Sequence, residues 1–529
     1  MKYIIINVIL LIAICIIIFI KKDNNKINDK IIDKHYRKIL FLLFFLMVIT
    51  SIYKLGKVPN GIHVDEAGMF YDAKLLAKYG YDRYLNKYPV YLINFGGGQS
   101  AMYAYLEAIL IKIFGNKLIL MRIPAIIFRI VSFISACFLI KNEKDKLKRI
   151  IFILLLTITP YFIMQSRIGL DCNLLVNFMI ISVSLFVNSI IKNNNKLLFI
   201  SGIFFGLTLY TYALSYLILP LLLLLTIIYL LYINKINIKK IIILGIPILI
   251  FAIPLVLMIL VNNGIIKEIH FIITIPKLQI YRGSEISLKN ILPNIRIFFA
   301  ILTFDRVYSG DNLIYNSIPY FGTIYYISIP FFVLGIFNCI EKAIKDIRSK
   351  KMSIEIIMII WFISVISCML LIEYPNINKA NAVFLPLIYF VTVGILSICN
   401  NKKCLKYIVI IYLCNYLVFL QYYYFEYNKH EGPAHCVATN YLNALDYAKN
   451  SNKKTIYIDQ RITNEPYIYI YMNNDIGALE YNKNIIKTDE KIYLIGTVGR
   501  INDNALYITK DKKNYINYKE FGDIYVIYK

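Results

Sequence analysis

The chain runs to 529 residues, of which 59% are hydrophobic and only 17% charged. No water-soluble domain needs that apolar share, and many runs approach the ~20 residues that cross a bilayer as one helix. The formal net charge of +26 would suit a nucleic-acid binder. The basic residues, however, cluster in short loops between apolar runs, which is the signature of cytoplasmic loops in membrane proteins. No nucleic-acid partner is expected. The nine cysteines are scattered, mostly within apolar runs, with no C-x-x-C pair, so neither a disulfide framework nor a metal cage is implied.

The first apolar run, residues 3–20, ends in Lys21-Lys22 and lacks a small-residue cleavage site, so it reads as a retained helix. The loop 21–38 carries Lys21, Lys22, Lys26, Lys30, Lys34, Arg37 and Lys38, which places it in the cytoplasm. A second span over 39–55 then crosses outward. Further spans are expected at 119–140, 150–166, 174–192, 197–213, 214–232, 241–262, 320–340, 355–372, 381–399 and 407–424. With that count every strongly basic short loop (141–149, 235–240, 342–351 and 402–406) falls on one side. Residues 98–114 are apolar enough to span. Counting them would invert the 141–149 loop, so they read as a helix at the outer interface within a first external loop, 56–118.

A second external loop, 263–319, carries His270, Lys277, Arg282, Glu285 and Asp305, and such loops serve as lids or positioning elements. Beyond Phe425 the pattern changes. A helical period over 436–449 precedes strand-like runs at 455–458, 491–495, 505–508 and 523–527, which predict a small α/β domain. The expected fold is mainly α: a polytopic membrane helix bundle of about twelve spans, both termini outside, with a small external α/β domain at the C-terminus. Its domains are 1–38 (an extra N-terminal membrane helix and basic loop), 39–424 (the transmembrane domain) and 425–529.

Chemistry concentrates where the second span ends, in the run Pro59-Asn60-Gly61-Ile62-His63-Val64-Asp65-Glu66-Ala67. Carboxylates at a membrane face are costly and mark function by default. A helix from Asp65 puts Met69, Phe70, Ala73, Leu76 and Ala77 on one side, with Asp72, Lys74 and Lys78 largely away from it, and Gly80 stops it. Neighbouring helical residues point ~100° apart, so only one of Asp65 and Glu66 easily faces a given substrate atom. The competing reading makes Asp65 an N-cap and Glu66 a first-turn residue. Arg167 and Asp171, on the same side, are either a wall of the site or a helical salt bridge. Arg122 either contacts an anionic headgroup or snorkels. Lys379 is the one cation of the turn 376–381, and Tyr212 sits in an outer turn that also fits an interfacial aromatic belt. His63 is a weak metal signal. No P-loop, H-E-x-x-H or dinucleotide glycine pattern occurs.

Glycosyl transfer from a lipid-phosphate sugar fits this set. A carboxylate deprotonates the acceptor hydroxyl, and the phosphate leaving group needs charge neutralisation more than a general acid. The run His63-Val64-Asp65-Glu66-Ala67, with Gly80-Tyr81-Asp82, Pro89, Gly96-Gly97-Gly98, Phe114-Gly115 and Arg122, resembles the first external loop of GT-C glycosyltransferases. The branch it resembles is the protein O-mannosyltransferase and aminoarabinose-transferase one, glycosyltransferase family 39. Ser166-Arg167 with Asp171 resembles that branch's second acidic site.

The resemblance implies Asp65 as general base, Glu66 as its neighbour orienting acceptor or metal, and Asp171 as a secondary acid lining the cavity. Arg122 and Arg167 are then the phosphate contacts with Lys379 behind them, and Arg282 and Tyr212 complete the candidate binding set. The implied partners are a polyprenyl-phosphate-linked sugar, membrane lipid and an envelope acceptor, at the plasma membrane with the site facing outward and with inversion at the anomeric carbon. No cofactor is required, and a divalent metal is compatible. The C-terminal residues do not resemble the carbohydrate-binding repeats of eukaryotic mannosyltransferases, which leaves a protein acceptor open. Two other classes compete: a polymerase or ligase using pyrophosphate-linked glycans, and a transporter or flippase of lipid-linked sugars. The chain shows no repeat of the kind transporters carry.

Overall fold

The computed structural model describes residues 2–19, 29–281, 285–303, 320–373, 375–398, 402–429, 438–497, 504–512 and 517–528. In chain order, helices α1 (Lys2–Phe19) and α2 (Asp29–Ile52) precede α3 (Val64–Tyr79), a hairpin of β1 (Tyr91–Asn94) and β2 (Gly97–Ser100), and α4 (Met102–Phe114). Then come α5 (Ile123–Leu139), α6 (Lys146–Ile158), α7 (Pro160–Gln165), α8 (Cys172–Ile191), α9 (Asn195–Thr208), α10 (Ser215–Tyr232) and α11 (Ile238–Asn262). A short hairpin of β3 (Ile269–His270) and β4 (Thr274–Ile275) leads to α12 (Ile291–Thr303). Long helices follow at Ile329–Arg348, Ile354–Leu371, Phe384–Ile398 and Lys402–Phe425, and the α/β domain closes the chain.

Among the described residues, nine helices of 18 residues or more are apolar enough to cross a membrane. Lys2–Ile17 and Asn195–Thr208 are shorter apolar helices. This is a multi-pass membrane protein. Two expectations are corrected. The span expected at 150–166 is broken between α6 and α7 because Pro160 opens the second piece, where its missing N–H costs nothing. The helix expected from Gly98 begins at Met102 instead. Residues 91–100 form a hairpin whose two turn residues, Phe95 (φ 51°) and Gly96 (φ 83°), both take the positive φ that matches strand twist. At 13 residues, α4 is too short to span.

Two compact units share the chain, and neither is continuous in sequence. The helical unit comprises residues 1–53, 125–256 and 282–424. Its closest helix contact is between Ile329–Arg348 and Phe384–Ile398. Gly335 and Gly394 face backbone there, and a Cβ on either would collide with the opposite main chain, the small-residue packing that membrane helices use.

The loop unit comprises residues 54–124, 257–281 and 425–529. Helix α3 is its centre and is buried on nearly every side, Asp72 and Lys74 included, where the sequence pattern had left those two residues on a polar face. The reason is a second layer around it. Asp72 pairs bidentately with buried Arg83 (2.9 and 2.7 Å), and Lys74 docks on the C-terminal residues. Gly80 ends the helix as expected, at φ 78° with its N–H on Leu76 O.

The C-terminal residues build a six-stranded mixed sheet ordered β6-β7-β5-β8-β10-β9. The strands are β5 (Thr455–Asp459), β6 (Ile485–Lys487), β7 (Ile492–Gly496), β8 (Ala505–Thr509), β9 (Tyr518–Phe521) and β10 (Ile524–Ile527). Parallel β7, β5 and β8 form the middle. The expected helix and four strands are present within a few residues. The helix Tyr467–Asn473 and the two edge strands β6 and β9 are additional.

Candidate active site

The acid pair stands at the start of α3, and the start is made by His63. Its backbone is extended (φ −72°, ψ 151°), its Nδ1 accepts the Asp65 N–H (3.2 Å), and its own N–H is donated to the Glu66 carboxylate (2.9 Å). This is a reciprocal capping box with histidine in the place usually taken by serine or threonine. Asp65 is therefore not the cap.

Glu66 is fully buried and receives the Arg122 guanidinium, Nε on Oε1 at 3.1 Å and Nη2 on Oε2 at 3.3 Å. Arg122 spends its remaining N–H groups on the carbonyls of Pro59 (2.9 Å) and Gly61 (2.5 Å). Glu66 and Arg122 thus pin the turn that delivers His63 and Asp65, and Arg122, expected to meet a phosphate, is buried in that pin.

Asp65 differs from its neighbour. Its side chain is 38% exposed, against 0% for Glu66. It accepts a hydrogen bond from Asn94 Nδ2 (3.2 Å), and the same amide group donates to Gln99 Oε1 (2.8 Å). Asn94 and Gln99 flank the turn of the β1–β2 hairpin, so the hairpin presents an amide to the acid. Sequence reasoning missed both residues. Their signal was a polar residue on each side of the glycine run 96–98. Placed in the first turn, Asp65 also lies at the positive end of the α3 dipole.

A fourth element reaches the pair from 400 residues away. The Tyr469 hydroxyl, on the helix Tyr467–Asn473, donates to Ile62 O (3.3 Å). Burial, then the Asp65 and Glu66 carboxylates, push its pKa well above the usual tyrosine range. Behind the pair lies Glu107 of α4, fully buried, with neither carboxylate oxygen hydrogen-bonded among the described residues. Burial, reinforced by Glu66 and Asp72, raises its pKa far above the carboxylate norm, so it is held neutral. Asp82, next to the Asp72–Arg83 pair, is raised to about 6, mainly by burial and then by Asp72.

The remaining sequence candidates belong to the helical unit. Arg167 is fully buried and donates to Thr50 O and Ser51 O (both 2.9 Å), closing the end of α2, with Tyr423 and Tyr424 rings beside it. Residues 166–171 form turns, so the four-residue spacing of Arg167 and Asp171 is not a helical one. Asp171 is buried at the head of α8 and accepts the Cys172 N–H (2.8 Å). Lys379 donates to Glu373 O (2.7 Å) and lies 3.5 Å from the Glu285 carboxylate. Tyr212 occupies the turn between α9 and α10 and is half-buried. Arg282 and Asp305 lie outside the described residues. Among the described residues no group of three or more His, Cys, Asp or Glu is gathered to hold a metal ion, and His63 is engaged as the helix cap.

The mainly helical membrane fold with a small sheet domain at the C-terminus is shared with solved structures. Residues 99–259, less than half of the chain, match the family model described as dolichyl-phosphate-mannose-protein mannosyltransferase. The chain is similar in fold to ArnT from Cupriavidus metallidurans bound to undecaprenyl phosphate, at TM-score 0.52, with 10% identity over 83% of this chain and 84% of that one. Apo ArnT from the same organism gives TM-score 0.51, with 10% identity over 83% and 85%. The archaeal oligosaccharyltransferase AglB from Archaeoglobus fulgidus gives TM-score 0.47, with 12% identity over 84% of this chain and 64% of that one. A search of curated proteins by sequence finds no match.

Proposed function

We propose that the protein is an integral-membrane glycosyltransferase that moves a sugar from a polyprenyl-phosphate donor to an envelope acceptor on the outer face of the plasma membrane. Asp65 is the general base and transfer inverts the anomeric carbon. The observation that carries this reading is the division of labour at the head of α3. His63 caps the helix with its ring 3.6 Å from Asp65 Oδ2, and Glu66 neutralises Arg122, so among the described residues the exposed Asp65 accepts one side-chain hydrogen bond, from the Asn94 amide. A base needs that combination, reachable and fixed in direction.

The balance of the step is simple. The acceptor O–H gives its proton to the Asp65 carboxylate as the oxygen attacks the anomeric carbon, and the sugar–phosphate bond breaks to leave the lipid phosphate with the electron pair. The matched family model and the undecaprenyl phosphate bound to ArnT support a polyprenyl-phosphate donor. The basic loops support an outward-facing site.

The experiment is transfer by the full chain purified in detergent, with no vesicle present. Polyprenyl-monophosphate and polyprenyl-diphosphate sugars are offered in parallel. Release of sugar from the monophosphate donor is the expected result. Turnover restricted to the diphosphate donor would assign the protein to glycan polymerases or ligases, and no release from either would favour a transporter.

A further inference from the structure

The C-terminal domain reaches the acid pair through one short helix, Tyr467–Asn473, and the contacts are specific. Lys74 of α3 donates to the carbonyls of Tyr471 (3.3 Å), Met472 (3.2 Å) and Asn474 (2.5 Å). Carbonyls at a helix end have few intrahelical partners, and a cation there also meets the negative end of the dipole. Tyr71, one turn further toward the acid pair, donates to Ile476 O (3.2 Å) and packs its ring on Tyr471, with centroids 4.9 Å apart. These contacts anchor the short helix against α3.

Tyr469 extends the same line to the head of α3. Its ring is 1% exposed and is held edge-on by Tyr441, with centroids 5.7 Å apart at 86°. Its hydroxyl lands on Ile62 O, the last carbonyl before His63. That peptide matters because its N–H, which belongs to His63, is the one bonded to Glu66, while the His63 ring holds the Asp65 N–H. One peptide unit therefore carries the capping box on its N–H and the Tyr469 hydroxyl on its C=O. Rotating it would release both and swing Asp65.

We infer that Tyr469 is a positioning residue for Asp65, fixing the Ile62–His63 peptide and through it the direction of the base. The role of the C-terminal domain is then to complete the active-site loop of its own chain. This inference rests on the reading of Asp65 as general base. A displacement of ~1 Å at a reacting group costs about 10²-fold in rate, so a hydroxyl that never touches substrate still governs turnover.

The test is Tyr469→Phe in the full-length protein, with transfer from the polyprenyl-phosphate sugar as readout. The ring and its packing remain, and the hydroxyl's hydrogen bonds, to Ile62 O and with the Thr463 side chain, are lost. The expected result is a fall in kcat of about 10-fold to 10²-fold with KM for the donor unchanged. Tyr441→Phe is the control. It removes an equally buried hydroxyl of the same domain, one that donates to Pro466 O at 3.0 Å, and it is expected to keep kcat.

Equal losses in the two variants would mean general loosening of the domain and overturn the positioning role. So would a loss confined to KM, or normal turnover in Tyr469→Phe. Asp65→Asn separates the two levels of the argument. If Asp65→Asn is inactive and Tyr469→Phe is normal, only the positioning role fails. If Asp65→Asn still turns over, the assignment of the base fails first.

Discussion

Arg122 in the loop unit and Arg167 in the helical unit are both buried, and the sequence presents both as phosphate ligands. Their surroundings differ in kind. Arg122 faces a fully buried carboxylate and two carbonyls of the turn before it, whereas Arg167 caps the last carbonyls of α2 and lies over tyrosine rings. The loop unit repeats its solution in Asp72–Arg83, a second bidentate buried pair. Charges there are matched to hold irregular backbone in shape. Arg167 shows the other use of the same residue, closing a helix end inside a bundle where main-chain groups have no water to turn to. The exposed acid of the loop unit therefore rides on a charge-paired frame, and the two units are expected to fail differently.

The largest difference lies in activity. Asp65→Asn keeps size and the Asn94 contact but removes the base, and transfer should fall about 10²- to 10⁴-fold while the protein still inserts and purifies normally. Asp171→Asn, in the helical unit, should cost less, because the Asp171 carboxyl group is buried and accepts the Cys172 N–H at the head of α8. A ratio near one between the two variants would erase the assignment of a single base.

Next comes stability. Arg122→Met strands the Glu66 charge in the interior, a loss of about 3–5 kcal/mol seen as a lower Tm or poor yield, and Glu66→Gln on the same background should recover part of it. Arg167→Met removes the donors to the Thr50 and Ser51 carbonyls, and a smaller loss of about 1–3 kcal/mol is expected. Equal losses would mean that the two arginines do the same work after all.

A pH effect sharpens the same contrast. Asp82 has its folded-state pKa raised to about 6 from 3.8. A carboxyl raised on folding gives stability that is present below the unfolded pKa and is lost as pH climbs through the folded one. Between about pH 4 and pH 6 the protein should therefore lose at most about 3 kcal/mol from this group, and Asp82→Asn should flatten that part of the Tm-against-pH curve. An unchanged slope in the variant would remove Asp82 as the cause.

The bundle was legible because an apolar run of bilayer length has few structural solutions. The stop at Gly80 was legible because a left-handed C-cap prefers glycine. The hairpin at 91–100 was not, since its glycines adjoin the apolar run of α4 and blur the helix start. The division between Asp65 and Glu66 was closed to sequence reading for a different reason. It depends on Arg122, 56 residues on, and Tyr469, some 400 residues on, and no local pattern encodes a partner at that distance. His63 is the instructive case. Sequence made it a weak metal ligand, yet His63 and Glu66 stand at the three-residue spacing of a capping box. The spacing was readable, but the residue type concealed it.

Glu107 gives the most direct probe of how the loop unit handles charge. It is a fully buried acid with no ion pair and neither oxygen hydrogen-bonded among the described residues, and it faces Glu66 and Asp72. Held neutral, it costs little at low pH. Its folded-state pKa lies above the unfolded value, so its contribution to stability drains away as pH rises through the folded pKa. Glu107→Gln keeps the shape and removes the ionisation. The variant should match the wild type at pH below the unfolded-state carboxylate pKa and exceed it increasingly as pH rises through neutrality. A variant less stable than the wild type at every pH would instead mean that the Glu107 proton is donated to Glu66 or Asp72, and that the frame around Asp65 includes a shared proton as well as its ion pairs.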